Sequence, residues 1–231
     1  MLSESFIREF KDFVDWDSIS VHQELSEDFM REFQDKLDWK AMSLYQIMSE
    51  NLIRDFKDRV DWENISREQY ISESFIREFK DRIDWRTISC RPRLSEEFIQ
   101  EFQDRVDWNS ISQHQKLSEN FIRNFQDRVH WPEIICNQKL SNDFIREFED
   151  KIDWVRLGDM VYEEDQTFSE EFVNEFGPKL AYYEKMAEAY WNGQRFTGKI
   201  EPLDDETRMR YMGISDDGQE YSTPLEDGRT F

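Results

Sequence analysis

The 231-residue sequence is poor in the residues that usually build a catalytic or metal site. It contains two cysteines, three histidines and seven glycines. The cysteines, Cys90 and Cys136, lie far apart without metal-ligand spacing, which argues against a disulfide framework and favours a reducing compartment. No glycine-rich phosphate loop, H-E-x-x-H or C-x-x-C pattern occurs. We therefore expect no cofactor, no bound metal and no enzymatic activity.

Long apolar runs are also lacking. No stretch is long enough to cross a bilayer, and the N-terminal residues do not have the pattern of a secretory signal. Acidic residues dominate instead, with 52 Asp and Glu against 30 Lys and Arg and a net charge of −22. Such a charge repels nucleic acid and anionic membranes and favours a protein partner with a basic surface.

What the sequence does contain is a 23-residue unit that recurs end to end. The first copy begins at Leu2, further copies begin at Leu25, Met48, Ile71, Leu94, Leu117 and Leu140, and an altered copy begins at Phe168. A fixed period of this size is typical of a solenoid. We predict seven tandem helical repeats in residues 1–167, a degenerate eighth repeat with a capping helix in 168–191, and a short hairpin or partly ordered acidic tail in 192–231.

The first copy predicts two short helices. Ser3 and Asp15 stand where N-caps are expected. Between them, apolar residues at positions 6, 7, 10 and 14 form one helical stripe. On the second helix, Trp16, Ser20 and Gln23 share a face. We predict a helix of about three turns, a tight corner and a helix of about two turns. The fold class is all-α, a solenoid of short helix-turn-helix repeats with a helical C-terminal cap.

A tryptophan recurs at one position of every regular copy. The row consists of Trp16, Trp39, Trp62, Trp85, Trp108, Trp131 and Trp154. Each indole can bury roughly 150–250 Å², which predicts that the row forms the spine of the core. The alternative is a stacking platform for a ligand or for bases. The acidic net charge disfavours that alternative.

Proline and glycine mark departures from the repeat. Arg-Pro-Arg at 91–93 predicts an early end of the second helix in the fourth copy. Gly-Pro at 177–178 predicts a break before a longer helix at 179–191. In the last segment, turn signals such as Asp-Asp-Gly at 216–218 favour a hairpin.

The frame LSExFIxxFxDxVDWxxIS, found at Leu25 to Trp39 as LSEDFMREFQDKLDW, resembles a tandem repeat of predicted proteins from bacteriophages and giant viruses. The resemblance covers about residues 1–176. It implies a viral origin, and hence the cytoplasm of a host cell as the location. It implies no activity, because these repeats have no assigned biochemical role.

One acidic row and one variable surface are the candidate partner-binding sites. The acidic row, called the Asp12 row below, consists of Asp12, Asp35, Asp58, Asp81, Asp104, Asp127 and Asp150. We expect it on the polar face of the first helix, near its C-terminal end, where negative charge is unfavourable. Either each carboxylate bonds a neighbouring element, or the row faces a basic partner.

The variable surface lies on the second helix, at the positions equivalent to 17, 18, 21 and 22. These positions differ most between copies, and Tyr45, Arg67 and His114 are candidate contacts there. Such a face is either an unconstrained solvated surface or a recognition surface, because solenoids often bind through variable positions on a regular frame.

Together these features predict a non-enzymatic acidic repeat protein that binds a protein partner. The leading hypothesis is a viral inhibitor that docks on the nucleic-acid-binding surface of a host defence factor without touching nucleic acid itself. The alternatives are a viral structural scaffold without an inhibitory role and an enzyme whose site lies in the C-terminal cap. The sequence leaves the oligomeric state open.

Overall fold

A computed structural model describes residues 2–162 and 169–212, and the regular secondary structure of this part of the chain is entirely helical. The predicted all-α repeat fold is confirmed. It forms two compact units, Met1–Gln115 and Lys116–Phe231. Two predicted features lie outside the described residues: the first residue of the eighth copy and the turn at 216–218. The hairpin therefore stays a prediction.

The described chain contains sixteen α-helices and one 3₁₀ turn at Glu149–Lys151. In chain order the helices are α1 (Glu4–Glu9), α2 (Trp16–His22), α3 (Glu27–Glu32), α4 (Trp39–Tyr45), α5 (Glu50–Asp55), α6 (Trp62–Glu68), α7 (Glu73–Glu78), α8 (Trp85–Ser89), α9 (Glu96–Glu101), α10 (Trp108–His114), α11 (Glu119–Asn124), α12 (Trp131–Asn137), α13 (Asn142–Glu147), α14 (Trp154–Tyr162), α15 (Glu170–Trp191) and α16 (Asp205–Tyr211). Odd-numbered helices up to α13 are the first helices of the repeats, and even-numbered helices up to α14 are the second.

The predicted helix caps are confirmed. The Ser3 hydroxyl accepts a hydrogen bond from the Phe6 backbone N–H at 3.2 Å. The Asp15 carboxylate accepts one from the Asp17 backbone N–H at 3.2 Å. These bonds satisfy amides that have no partner inside the helix. Helix α12 is the exception, because His130 makes no side-chain cap and a proline occupies the first turn.

The first helix is shorter than predicted. In the second repeat α3 ends at Glu32, and the Lys36 N–H closes a turn onto the Phe33 carbonyl at 2.9 Å. Another turn of helix would require the Asp38 N–H to bond the Gln34 carbonyl. Instead the Trp39 indole N–H donates to that carbonyl, and the Asp38 N–H donates to a serine of the preceding repeat. The helix therefore does not resume after this turn, and α3 spans six residues.

Phenylalanine and isoleucine, more than tryptophan, form the fully buried core. Phe29, Phe75, Phe98 and Phe144 on the first helices and Ile65, Ile88, Ile111 and Ile134 on the second are all inaccessible to solvent. Among the seven tryptophans of the repeat row only Trp39 and Trp154 are buried. The others lie half-buried at the edge of the core, so the predicted spine is correct in position and overstated in depth.

A buried polar ladder joins successive second helices. The Ser43 hydroxyl accepts from the backbone N–H of Asp61 in the next repeat at 3.0 Å. The Gln69 side-chain amide donates to the carbonyls of Ser43 and Gln46 at 3.1 and 2.7 Å, and its oxygen accepts from the Met48 N–H at 3.0 Å. This amide caps carbonyls at the C-terminal end of α4, which would otherwise be buried without partners.

The fourth repeat preserves this ladder with a different residue. Pro92 stands where the other repeats from the first to the sixth carry the ladder glutamine, and α8 ends after five residues as predicted. The Arg91 side chain takes over, donating to the carbonyls of Ser66 and Gln69 in the preceding repeat. Burial lowers the pKa of this guanidinium. The substitution therefore keeps the carbonyls satisfied at the cost of desolvating a cation.

The C-terminal helices differ from the prediction at two places. Helix α15 continues through Pro178, where a break was predicted. Proline can adopt the helical φ, Gly177 beside it is buried, and Leu180 packs into the hydrophobic core of the second unit. A side chain at Gly177 would collide with Leu203. Beyond it, α16 buries Tyr211 in the same core, which the sequence analysis did not predict.

Candidate functional site

The Asp12 row lies in the turn after the first helix, and most of its carboxylates bond a cation 24 residues further along the chain. The pairs are Asp12–Lys36 at 3.4 Å, Asp35–Arg59 at 2.6 Å, Asp58–Arg82 at 2.7 Å and Asp81–Arg105 at 2.7 Å in the first unit, and Asp127–Lys151 at 3.6 Å in the second. Asp104 is engaged as well. Asp150 is exposed and borders a shallow cavity of the second unit.

Each of these cations connects several groups of the preceding repeat. Arg82 donates to the Lys57 carbonyl at 2.6 Å and to the Asp58 carboxylate, and its guanidinium lies 5.8 Å from the centre of the Trp62 ring. The same indole ring also lies 4.8 Å from the Phe79 ring, measured between the ring centres. The ring is thus engaged within the stack, and the carboxylate belongs to a joint between repeats. Exposed pairs of this kind contribute about 0–1 kcal/mol each.

A second row of ion pairs joins the first helices. Arginines of the Arg8 type bond an acid 24 residues later: Arg8–Glu32 at 2.7 Å, Arg31–Asp55 at 2.5 Å, Arg54–Glu78 at 2.7 Å and Arg77–Glu101 at 2.6 Å in the first unit, and Arg123–Glu147 at 2.7 Å in the second. This row was not predicted, although the Arg-to-acid spacing of one repeat plus one residue is visible in the sequence.

The same arginines support carboxylates that cap the next repeat. Glu50 accepts from the Ser72 backbone N–H at 2.7 Å and pairs with Arg54 at 3.3 Å. Burial raises the pKa of Glu50, but the hydrogen bonds from Ser72 and the charge of Arg54 outweigh it, and the net pKa lies below that of an ordinary glutamate. Many acids of the first unit are therefore committed to structure.

The predicted contacts on the second helices all belong to the first unit. Tyr45 and His114 are the last residues of α4 and α10 and are exposed. Arg67 on α6 is exposed and bonds Glu68 at 2.8 Å. Helix α4 packs directly on α6, whereas α8 separates α6 from α10. The structure thus brings Tyr45 and Arg67 onto adjacent helices and leaves His114 further along the stack.

Two further residues extend this surface. Ile47 and Tyr70 occupy equivalent positions just after α4 and α6, and they are 85% and 92% exposed. The corresponding position is charged in four of the other five regular repeats, at Glu24, Arg93, Lys116 and Lys139, and the seventh repeat carries Tyr162 there. Together with Tyr45 these two residues form a surface that we call the exit patch. The signal in the sequence that could have identified Ile47 and Tyr70 was an apolar residue at a position that is charged in most copies.

The second unit contains one further concavity of interest. A cavity of about 430 Å³ is lined by Lys185, Trp191 and the ion pair of Glu184 with Arg210, whose charged atoms lie 2.9 Å apart. Burial raises the pKa of the nearby Tyr211 hydroxyl. Among the described residues no group of three or more His, Cys, Asp or Glu could hold a metal ion. An enzyme site in the cap stays an untested alternative.

The fold and the surface define a class of protein: an all-α stack of 23-residue helix pairs with a longer C-terminal helix. No protein family, curated protein or solved structure matches this chain. Within residues 2–162 and 169–212, no helix is both long and apolar enough to span a membrane.

Proposed function

We propose that this chain is a non-enzymatic binding protein that holds a protein partner on the exit patch of its first unit. The observation that carries the proposal is the exposure of Tyr45, Ile47 and Tyr70 at the ends of two adjacent second helices. Exposed aromatic residues are enriched at the centres of protein interfaces, where they contribute most of the binding energy.

The surroundings of the exit patch favour a partner with a basic rim. Arg67 beside the patch is balanced by Glu63 and Glu68, which lie 3.9 and 2.8 Å from it. The chain as a whole carries a net charge of −22. An apolar centre would then supply affinity, while the acidic surroundings would steer a basic partner and speed its association at low salt.

A narrower form of the proposal is a viral inhibitor that occupies the nucleic-acid site of a host defence factor. It is supported by the net charge and by the resemblance of the repeat to viral sequences. The ion pairs of the Asp12 row weaken one version of it, because carboxylates neutralised by Lys36 or Arg82 make a poor copy of a phosphate strand. A scaffold role would use the same patch without blocking the partner's activity.

The test is affinity capture with matched variants, followed by direct binding measurements on the captured protein. We expect the double variant Ile47→Glu, Tyr70→Glu to lose at least about tenfold in affinity, since hot-spot residues cost 2 kcal/mol or more. Phe13→Lys, which changes an equally exposed apolar residue elsewhere in the first unit, is the control and should bind normally. A partner that binds the double variant as tightly as the unmodified chain contradicts the proposal.

Asp58→Asn tests the Asp12 row in the same assay. If the row serves only the joint with Arg82, partner affinity should not change and stability should fall by less than about 1 kcal/mol. If the row faces the partner, association should slow and its salt dependence should weaken. Loss of the partner's nucleic-acid binding on complex formation would separate the inhibitor from the scaffold.

A further inference from the structure

The N-terminal end of the first unit exposes the face that buries the core elsewhere in the stack. In the second repeat Phe29 is 0% exposed, because the indole of Trp16 packs over it and over Phe33, with ring centres 6.3 and 4.9 Å away. The equivalent Phe6 is 43% exposed, and its ring packs on Phe10 at 4.5 Å. The first repeat thus presents a paired aromatic surface without the covering ring.

Phe13 makes this end more apolar than the repeat pattern requires. The equivalent position holds a cation in the next four copies, namely Lys36, Arg59, Arg82 and Arg105. Phe13 is 89% exposed. Terminal repeats of solenoids usually have a polar outer face for solubility. The first repeat of this sequence instead replaces a charge with a phenyl ring, so that Leu2, Phe6, Phe10 and Phe13 form what we call the N-terminal apolar face.

We propose that the N-terminal apolar face is the interface of a two-fold symmetric dimer with a second copy of this chain. A two-fold interface must be self-complementary, so that each copy supplies both halves of every contact. This face supplies both halves of such a contact. The Phe6–Phe10 pair is a surface that a ring can cover, and the exposed Phe13 is a ring that can cover it. In the dimer, Phe13 of each copy would pack over the Phe6–Phe10 pair of the other copy, in the way that Trp16 packs over Phe33 within one chain.

A preceding repeat of the same series fits this face less well. At internal joints the preceding repeat presents an Asp12-type carboxylate to the cation at the position of Phe13, as Asp12 does to Lys36. A phenyl ring cannot pair with that carboxylate, which would lose its partner on burial. The chemistry of this end therefore favours an apolar partner surface, which a second copy supplies.

Charge repulsion between two acidic copies is reduced at this end, because the nearby charges are paired. Arg8 bonds Glu4 at 3.4 Å and Glu32 at 2.7 Å, and Asp12 bonds Lys36. The apolar area that this face can bury is roughly 400 Å² per copy, taking 150–250 Å² for a whole aromatic side chain. A total near 800 Å² lies below the range of about 1,200–2,000 Å² for stable complexes, so we expect a weak, transient dimer with a dissociation constant in the micromolar range.

Sedimentation equilibrium of the full chain over about 1–500 µM tests the dimer, since mass action sets its population. We expect a closed monomer–dimer equilibrium that tightens when salt rises from about 0.05 to 0.5 M, because screening weakens the repulsion of like charges. Binding of a basic partner to the exit patch should weaken over the same range. The two proposals can therefore fail independently.

Phe13→Lys is the decisive variant, because it restores the residue found at this position in the second repeat and should fold normally. It should weaken dimerisation at least about tenfold, the effect of 1.4 kcal/mol. Tyr70→Lys is the matched control, with an equally exposed ring on a different surface, and should dimerise like the unmodified chain. A chain that stays monomeric throughout, an open series of larger oligomers, or a dimer lost in Tyr70→Lys and kept in Phe13→Lys would each overturn the proposal.

Discussion

The amide of Gln69 offers the sharpest test of how the repeats are joined. It is 4% exposed and makes three hydrogen bonds, to the carbonyls of Ser43 and Gln46 and from the N–H of Met48. Gln69→Ala removes the partner of all three groups at once and leaves the backbone where it is. Because α4 ends at Tyr45, the bonded carbonyls are among those that the helix itself cannot satisfy.

The expected cost follows from these three groups. A buried polar group left without a partner costs about 1–3 kcal/mol, and water that enters the vacated space recovers part of it. Taking about 1 kcal/mol for each group, Gln69→Ala should lower the free energy of unfolding by about 3 kcal/mol. Gln23→Ala is the matched control, because Gln23 is only half-buried and its one bond from the Leu2 N–H lies near the surface. It should cost about 1 kcal/mol or less.

Urea unfolding followed by circular dichroism and tryptophan fluorescence would measure both variants, with coincident transitions required before a two-state fit is used. A difference of about 2 kcal/mol between Gln69→Ala and Gln23→Ala is expected. If the two variants lose the same stability, the ladder contributes nothing beyond ordinary surface bonds. Gln69 then does not stabilise the chain by capping the carbonyls at the end of α4.

Three further predictions concern other parts of the first unit. Trp62→Ala should cost about 2–4 kcal/mol in the same unfolding experiment, since its half-buried ring packs on Phe79; a loss below 1 kcal/mol would remove it from the core. Arg91→Ala should destabilise the chain by about 2 kcal/mol or more, because it uncaps α6, and equal stability of this variant would contradict its assigned role. The lowered pKa of Glu50 means that its stabilising effect is present above the ordinary glutamate range and lost as pH falls through the lowered value. Urea midpoints measured from pH 6 to about 3 should therefore fall less steeply in Glu50→Gln.

The repeat architecture was predictable because its signals are local. Each serine or aspartate cap acts on amides two or three residues away, and the apolar stripe has the helical period. Ser3 and Asp15 therefore placed the starts of both helices correctly. The inner face of Trp16, Ser20 and Gln23 was also identified, but the sequence analysis did not predict that the buried Ser and Gln positions bond the neighbouring repeat.

Features that depend on competition between partners were not predictable in the same way. The path of the chain after α3 depends on which donor reaches the Gln34 carbonyl, and that donor is an indole N–H from the next helix. The continuity of α15 through Pro178 depends on burial of the adjoining residues, which no local rule contains. Arg91 as a substitute for glutamine could be inferred only after the acceptors Ser66 and Gln69 were seen together.

The candidate site was predicted in part. Tyr45 and Arg67 lie on adjacent exposed helix ends, as a recognition surface requires. Ile47 and Tyr70 were missed because the exposure of the position after the second helix could not be judged without knowing where the chain turns. The partner-binding roles of Tyr45, Arg67, His114 and the Asp12 row stay predictions.

Periodicity itself separates structural residues from candidates for recognition. A residue that recurs in most copies, such as the Asp12 or Arg8 type, faces the same neighbour in each repeat and is used in the joint. Such positions stay uniform because each one contacts the same group of a neighbouring repeat. A surface that recognises another protein must instead break the period, as the exit patch does with Ile47 and Tyr70 and as the N-terminal apolar face does with Phe13. The acidic rows, although they account for much of the charge, are for this reason the weaker candidates for specific contact.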